Sequence, residues 1–285
     1  MCADTAEKFA LTKDNYYSLG ADRAFMSCSQ WDSFCRCEAR EAAYLRGEYE
    51  KPKGSSTALI VGNYLHAAME GPDAFESFLD KHWSDIYQVG KRTKKAEFDR
   101  ADLMIETLRK DSYIGRLIRL PGETEKVMTG VLFGDIPFKI RLDKYVSLSS
   151  RMIIDYKTCE DMHETFYSED GIRESFIEHW GYARRAAAYI EIEKQNAGSL
   201  NDAVFLIIAI SKQFPPDRDV FAMNDRESLS SAFAGMESRA QHFQRVKDGI
   251  DEPIRCERCD YCRATKKITG PRLYTDIAPG RSEGY

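Results

Sequence analysis

Asp155 and Lys157 stand one residue apart at the end of an apolar run, Met152-Ile-Ile-Asp-Tyr-Lys-Thr158. Alternate side chains of a strand share a face, so this spacing projects a carboxylate and an ammonium to the same side. Asp143 lies near the end of the preceding alternating stretch, 136–146, and Ser149, Ser150 and Arg151 supply the turn between the two strands. Two carboxylates brought together in this way suit a hard divalent cation such as Mg²⁺, with Mn²⁺ as the alternative, because such ions favour oxygen ligands and keep several waters. An ion held there makes a bound water more acidic and offsets charge on a scissile phosphate. Lys157 is then placed to orient the nucleophile or stabilise the transition state. Spacing alone leaves a second reading open, a surface ion pair between Lys157 and a strand carboxylate, worth about 0–1 kcal/mol.

The elements around these residues follow from periodicity. Val61, Tyr64, Leu65, Ala68 and Met69 recur at helical spacing and predict a helix over 57–70, with Gly62, His66 and Glu70 on the adjoining stripe. Taken alone, His66 reads as readily as a structural histidine as a ligand. It completes a metal shell or positions a water only if this helix packs over the strands of Asp143 and Asp155, where Gly62 leaves room for close approach. Residues 125–133 alternate Val127, Thr129, Val131 and Phe133 on one face, and Gly134-Asp135 supplies a hairpin turn. On the next strand Ile136, Phe138, Ile140 and Leu142 form one face, and Lys139, Arg141, Asp143 and Tyr145 the other. A long helix is predicted over 173–194, with Phe176, Trp180, Ala183, Ala187 and Ile190 inward and Tyr182, Arg185 and Tyr189 on a second stripe. Strands over 201–212 and 219–223 and a helix over 225–248 follow. Helix, three strands, helix, strand is an α/β order, a sheet flanked by helices.

Before this core, residues 1–30 read as a loose entry segment, and a helix from Ser29 to Leu45 contains Cys35 and Cys37. A loop over 47–56 ends it. Residues 72–120 are helical and charged; their basic run 91–95 reads as a solvated face and gains a nucleic-acid role only beside a phosphodiester-cleaving site. The organisation is an N-terminal helical segment (1–56), a core (57–250) with an insertion at about 72–120, and a C-terminal cysteine motif and tail (251–285). The Gly-, Pro- and charge-rich tail from 268 reads as a mobile terminus or an oligomer contact.

At 285 residues and 43% hydrophobic content the chain can bury one large core. A net charge of −5 argues against a general coat for polyanions, although a local basic groove is compatible with it. Residues 1–10 show no signal pattern, and the longest apolar run, 203–210, is too short to span a bilayer, so the expected location is the cytoplasm with no membrane partner. Eight cysteines in such a chain point to metal ligation or buried thiols rather than a disulfide framework. Cys256, Cys259 and Cys262 form a C-x₂-C-x₂-C run, one ligand short of a four-coordinate site. Cys37 is the preferred fourth, Cys35 and Cys28 are alternatives, and Cys2 and Cys159 stay unassigned. Zn²⁺, an iron–sulfur cluster and reduced structural thiols remain open readings.

Asp143, the segment Ile153-Ile-Asp-Tyr-Lys-Thr158 and the helix around His66 together resemble the PD-(D/E)XK nuclease superfamily, in particular its RecB-type branch and the phage and prophage RecE-like exonucleases. The resemblance covers about residues 25–265. It implies a restriction-endonuclease-like core of αβββαβ order with a central mixed sheet. It also implies that Lys157, Asp155, Asp143 and His66 are catalytic, and that Asp143, Asp155, His66 and the Tyr156 carbonyl bind the metal. Glu125 resembles an acidic position of related nucleases. Relatives often carry Gln four residues before a helix Tyr. Here Tyr189 matches but Arg185 replaces Gln, and Arg pairs with phosphate rather than accepting a hydrogen bond; Tyr182, Arg185 and Tyr189 are the implied DNA-positioning residues. The cysteines are similar to the layout of AddB-like nucleases, which implies a [4Fe–4S] cluster at Cys37, Cys256, Cys259 and Cys262. The implied activity is Mg²⁺-dependent exonuclease action on linear duplex DNA in phage-type recombination or repair, with a single-strand annealing protein and a homo-oligomer as partners. The alternative is a non-cleaving DNA-binding or recombination-scaffold protein of the same fold.

Overall fold

The computed structural model describes residues 9–52, 56–168, 171–271 and 273–276. Cys2, most of the 1–10 stretch, part of the 47–56 loop and much of the tail from 268 lie outside the described residues.

Three short helices come first, α1 (Leu19–Ala24), α2 (Cys28–Arg36) and α3 (Glu38–Arg46). Ser18 and Ser27 cap the first two by accepting from the amides of Ala21 and Gln30. The single helix expected from Ser29 to Leu45 is broken at Cys37, whose backbone is extended at φ −166° and ψ 106°, so Cys37 sits at a junction and not inside a helix. Within the described part of the expected loose entry segment, residues 9–30, Ala21, Phe25 and Met26 are buried, and Met26 bridges to Phe138. Its apolar residues are too sparse to show a period, but each finds the core.

α4 (Thr57–Glu70) buries its predicted stripe, Val61, Tyr64, Leu65, Ala68 and Met69. α5 (Pro72–Lys81), α6 (Trp83–Ile86), α7 (Ala96–Lys110) and α8 (Ile114–Arg119) make up the charged helical stretch. Their inner residues, Ile86, Phe98, Met104 and Leu108, are fully buried, each such side chain contributing roughly 1.5–3 kcal/mol of transfer free energy.

The main sheet has the strand order Glu123–Leu132, Ile136–Ser147, Arg151–Cys159, Val204–Ser211, Arg218–Ala222. β1 (Glu123–Leu132), β2 (Ile136–Ser147) and β3 (Arg151–Cys159) form the expected antiparallel meander. A small hairpin, β4 (Phe166–Tyr167) and β5 (Arg173–Glu174), leads to α9 (Phe176–His179) and α10 (Tyr182–Ala197). The helical stretch bridges to β6 (Val204–Ser211), which pairs parallel with β3 as a crossover requires. β7 (Arg218–Ala222), α11 (Arg226–Lys247) and α12 (Asp260–Ala264) complete the fold. Phe138, Ile140, Leu142, Ile153, Phe205 and Ile207 pack with residues of α2, α10 and α11. Val146, Ile154, Tyr156, Ile208 and Ile210 pack with α4, α7 and α8. The sheet is therefore covered on both faces, the helix-flanked α/β architecture that the order of elements predicts.

Three local expectations are corrected. The helix predicted over 173–194 is two helices, because Gly181 adopts a left-handed conformation at φ 64° and separates α9 from α10; Trp180, expected to face the core, is 45% exposed. Tyr145, expected beside Asp143, is buried and donates to Glu193 of α10 at 2.6 Å. Phe133 lies past the end of β1 at φ 55° and turns into the core, while Val131, expected on its face, is exposed.

The feature that positions the site is a fork. β2 and β3 pair only from Ser147↔Arg151 to Lys144↔Ile154. Farther along, Met26 takes over the free edge of β2, its amide donating to Pro137 O at 2.8 Å and its carbonyl accepting from Lys139 N at 2.8 Å. Asp143 stands between the two pairings.

Candidate active site

The registers Thr124↔Lys144 and Lys144↔Ile154 set Glu125, Asp143 and Asp155 in one transverse row across three neighbouring strands, yet neither Glu125 with Asp143 nor Asp143 with Asp155 is a ladder pair. Glu125 has φ 54°, a left-handed conformation that costs a non-glycine residue about 1–3 kcal/mol and persists where its surroundings impose it. Both ladders thus lapse where the acids lie. The gap leaves the Tyr156 amide without a β2 carbonyl, and Asp143 Oδ2 accepts from it at 2.9 Å.

α4 brings His66 to the same carboxylate, with Nδ1 3.2 Å from Asp143 Oδ2. Gly62, one turn earlier, lies close to Thr158: a Cβ there would sit 3.7 Å from its hydroxyl, so the close approach expected at Gly62 is present without being obligatory. Burial opposes charge on both partners, but their attraction outweighs it. Asp143 is held well below the usual carboxylate range by His66, Lys157 and the Tyr156 amide, and His66 is raised above its ordinary value by Asp143.

Asp155 and Lys157 form an ion pair, and Lys157 Nζ also donates to the Tyr156 carbonyl at 3.1 Å. The ammonium lies 5.5 Å from the Tyr182 ring of α10, and the Arg185 guanidinium lies 5.7 Å from the same ring. Among the described residues no carboxylate pairs with Arg185; Asp155 and the tyrosines around it raise its pKa against the opposing effect of burial. Tyr189 packs edge-on against Phe205 at 6.1 Å, and burial pushes its hydroxyl pKa well up. Tyr182 therefore faces Lys157 and Arg185 lies against the Tyr182 ring, while Tyr189 sits against the core.

His66, Glu125 and Asp143 offer ligand atoms that all lie within 4.8 Å of one another. Glu125 Oε2 and Asp155 Oδ2 are buried and each meets a cation, Arg141 at 2.7 Å and Lys157, but neither has a hydrogen-bond donor aligned on it. Burial raises the pKa of the Glu125 carboxyl. An imidazole nitrogen, clustered carboxylates and incompletely satisfied buried oxygens fit a divalent cation of the Mg²⁺ or Mn²⁺ kind. Sequence reasoning missed Arg141 and Tyr17. Arg141 bridges Glu125 and the Tyr17 hydroxyl, which accepts from it at 2.6 Å. The usable signal was the position of Arg141 two residues before Asp143, on the same strand face; Tyr17 carried none, because its approach depends on how the N-terminal segment crosses β2.

The cysteines sort cleanly. Cys37, Cys256, Cys259 and Cys262 converge, with all four sulfurs within 4.8 Å of one another. Cys28 is buried in the main core, and Cys35 Sγ accepts from Arg239 at 3.5 Å. The basic run 91–95 is partly internal: Lys94 binds Asp102 and the Tyr64 hydroxyl, and Lys95 donates to the carbonyls of Ser84 and Asp85. A cavity of about 350 Å³ beside β7, lined by Met162, Phe176, Phe221 and Met223 among others, holds none of the site residues. No helix of the described residues is long and apolar enough to cross a membrane.

Residues 27–265 match the model of a family described as a PDDEXK-like domain of unknown function (DUF3799). The chain is similar to the crystal structure of a "Putative exonuclease" from Eubacterium rectale, at 31% identity and a TM-score of 0.84, over 96% of this chain and all of that one. The crystal structure of SSO0001 aligns over 75% of this chain and 85% of its own at 10% identity and a TM-score of 0.27, too low to carry an argument. No curated protein matches the chain.

Proposed function

The chain belongs to the PDDEXK-like domain family of unknown function, and from that premise we propose that it is a divalent-metal-dependent DNA exonuclease. The observation that carries this reading is the interrupted row of Glu125, Asp143 and Asp155 beneath His66, with Lys157 at its end. A structural ion-pair network has no need of two broken ladders and a left-handed glutamate. The likeness to a structure described as an exonuclease supports the same reading.

His66, Asp143 and Asp155 are the proposed ligands, joined by Glu125 and the Tyr156 carbonyl. Bound among them, Mg²⁺ or Mn²⁺ supplies a more acidic water and offsets charge on the phosphate under attack. Asp155 pairs with Lys157 and orients it, so that its ammonium stabilises the charge that builds on the phosphoryl oxygens. Asp143 is fixed by the Tyr156 amide and is already ionised. Arg185, which has no carboxylate partner among the described residues, pairs with a backbone phosphate, and it and Lys157 both approach the Tyr182 ring. Arg141 pairs with Glu125 and would hold its carboxylate at the edge of the row.

The substrate is the end of linear duplex DNA, in recombination or repair of the phage type, where a single-strand annealing protein takes up the exposed strand. Purified protein digests linear duplex DNA with Mg²⁺ or Mn²⁺ and leaves closed circles intact; Asp143→Asn and Lys157→Ala each slow this by about 10²–10³-fold. Cutting of closed circles reassigns it as an endonuclease. DNA binding without hydrolysis, unaffected by EDTA, makes it a non-cleaving member of the fold, and full activity in both variants overturns the site.

A further inference from the structure

Cys37, Cys256, Cys259 and Cys262 lie apart from the acidic row and take no part in the proposed hydrolysis. Their sulfurs are separated by 3.5 Å (Cys37 to Cys262), 3.7 Å (Cys37 to Cys259) and 3.9 Å (Cys256 to Cys262). Four thiolates at about 2.3 Å from one tetrahedral ion stand about 3.8 Å apart. A disulfide requires a far shorter separation, about 2.05 Å. A cuboidal iron–sulfur cluster places a separate iron behind each cysteine, with sulfides between the irons, and spreads the four sulfurs well beyond these distances. The cluster implied by the sequence resemblance therefore does not fit the sulfur positions. We infer that the four cysteines form a mononuclear tetrahedral thiolate site for a single Zn²⁺ ion, which fastens the C-terminal segment to the junction of α2 and α3.

The surrounding backbone is arranged for sulfur ligands. Cys256 Sγ accepts from the amides of Arg258 at 3.5 Å and Cys259 at 3.3 Å, and Cys259 Sγ accepts from the amide of Cys262 at 3.4 Å. The loop achieves this with Glu257 in a left-handed conformation at φ 60°. Cys37 reaches the loop because the helix breaks at its own residue. Four thiolates around a divalent ion leave an excess of negative charge, and Arg255 stands against it, donating to the Cys262 carbonyl at 2.7 Å. Polar contacts close the joint on either side: Ile254 N donates to Glu38 at 2.9 Å, Ala39 N to Ile254 O at 3.1 Å, and the Tyr49 hydroxyl to Asp260 at 2.6 Å. All four ligands are supplied by the chain, so the site is closed and structural, with no position left for a reacting water.

The test is elemental and spectroscopic, and independent of nuclease activity. The full chain, purified anaerobically from cells supplied with both zinc and iron, is expected to carry one zinc per chain, with iron and acid-labile sulfide at background. Replacing zinc with Co²⁺ should give the visible bands of tetrahedral thiolate cobalt. Cys37→Ser should lower zinc from one per chain to near zero, while Cys35→Ser keeps it. Should Cys37→Ser fail to fold, the metal content and cobalt spectrum of the unaltered protein still decide. Four irons and four sulfides per chain, a metal-free protein with four titratable thiols, or full zinc retention in soluble Cys37→Ser would each overturn the inference.

Discussion

The acidic row and the cysteine site both gather residues from distant parts of the chain, but by opposite means. The row is made by removing backbone order: two ladders lapse, Glu125 turns left-handed, and buried oxygens face cations without aligned donors. The cysteine site is made by adding order, with three amides donating to sulfur and polar contacts securing the joint. In the proposed readings, the first would leave incomplete satisfaction for a substrate and an exchangeable ion to relieve, and the second would close on its ion and leave no position for a reacting group. The lesson is that metal-ligating residues divide by how the backbone treats them, and that predicts which site governs activity and which governs stability.

The largest effect that tests this division belongs to the cysteines. Cys256→Ser removes a ligand, and loss of a structural metal is among the few changes expected to cost about 4 kcal/mol or more. At about 2–4 °C per kcal/mol for a domain approaching this size, thermal melting should fall by roughly 8–16 °C, while turnover by the fraction still folded is unchanged. A normal melting curve together with lost hydrolysis would reverse the roles of the two sites.

Next comes Asp143→Asn. The amide oxygen can still accept from the Tyr156 amide, so the fork keeps its shape, but the charge that would hold the ion is gone. Hydrolysis should drop by about 10²–10³-fold, the scale for losing one preorganised electrostatic contact, with melting moved by only a few degrees. Lys157→Ala should match it in rate and cost more stability, since it leaves buried Asp155 without its cation. If Asp143→Asn unfolded the protein, the row would be structural after all.

How much of each site could be read in advance follows from the same difference. The period of α4, the alternation of β1 to β3 and the apolar run of β6 are local patterns set by burial, so the mixed sheet and its helices were legible. The placement of Asp143, Asp155 and Lys157 was legible because strand geometry aims them, whereas His66 was singled out by the family resemblance and is found beside Asp143; the roles of all four are proposed. Tyr17 and the fork were not, since both depend on Met26 pairing with β2, a contact across more than a hundred residues. The break at Cys37 was hidden for another reason: nothing in its neighbours opposes a helix, and only the distant cysteine loop makes an extended residue favourable there. Gly181 divided the predicted 173–194 helix in two because its left-handed conformation is a choice that glycine permits but does not announce.

A smaller effect concerns Arg185. It stands on α10 without a carboxylate partner among the described residues, and its proposed partner is a phosphate. Arg185→Gln removes the charge but keeps a donor, and should raise KM by about 10-fold, a loss of about 1.4 kcal/mol, with kcat changing less. It should also flatten the salt dependence of DNA binding by about one ion contact. Equal losses in kcat and kcat/KM would instead assign Arg185 to the transition state.

The smallest effect is the response to pH, where the two sites should move in opposite directions. In protein stripped of divalent ions, the pKa of His66 is raised above 6.5 by Asp143 against the effect of burial. A base raised in this way adds stability that is fully present below its unfolded value and lost as pH climbs through its native value. Melting temperature should therefore decline from about pH 6.5 upward, and His66→Asn should remove that slope. Metal binding at the row needs the neutral imidazole, so Mn²⁺ affinity should rise over the same interval. Protons compete with zinc for the thiolates, so the cysteine site weakens as pH falls. Melting curves of zinc-loaded protein prepared without Mg²⁺ or Mn²⁺ should thus bend down at both ends, the upper bend vanishing in His66→Asn and the zinc-dependent part of the lower one in Cys256→Ser, while the loss from protonating Asp143 persists at still lower pH.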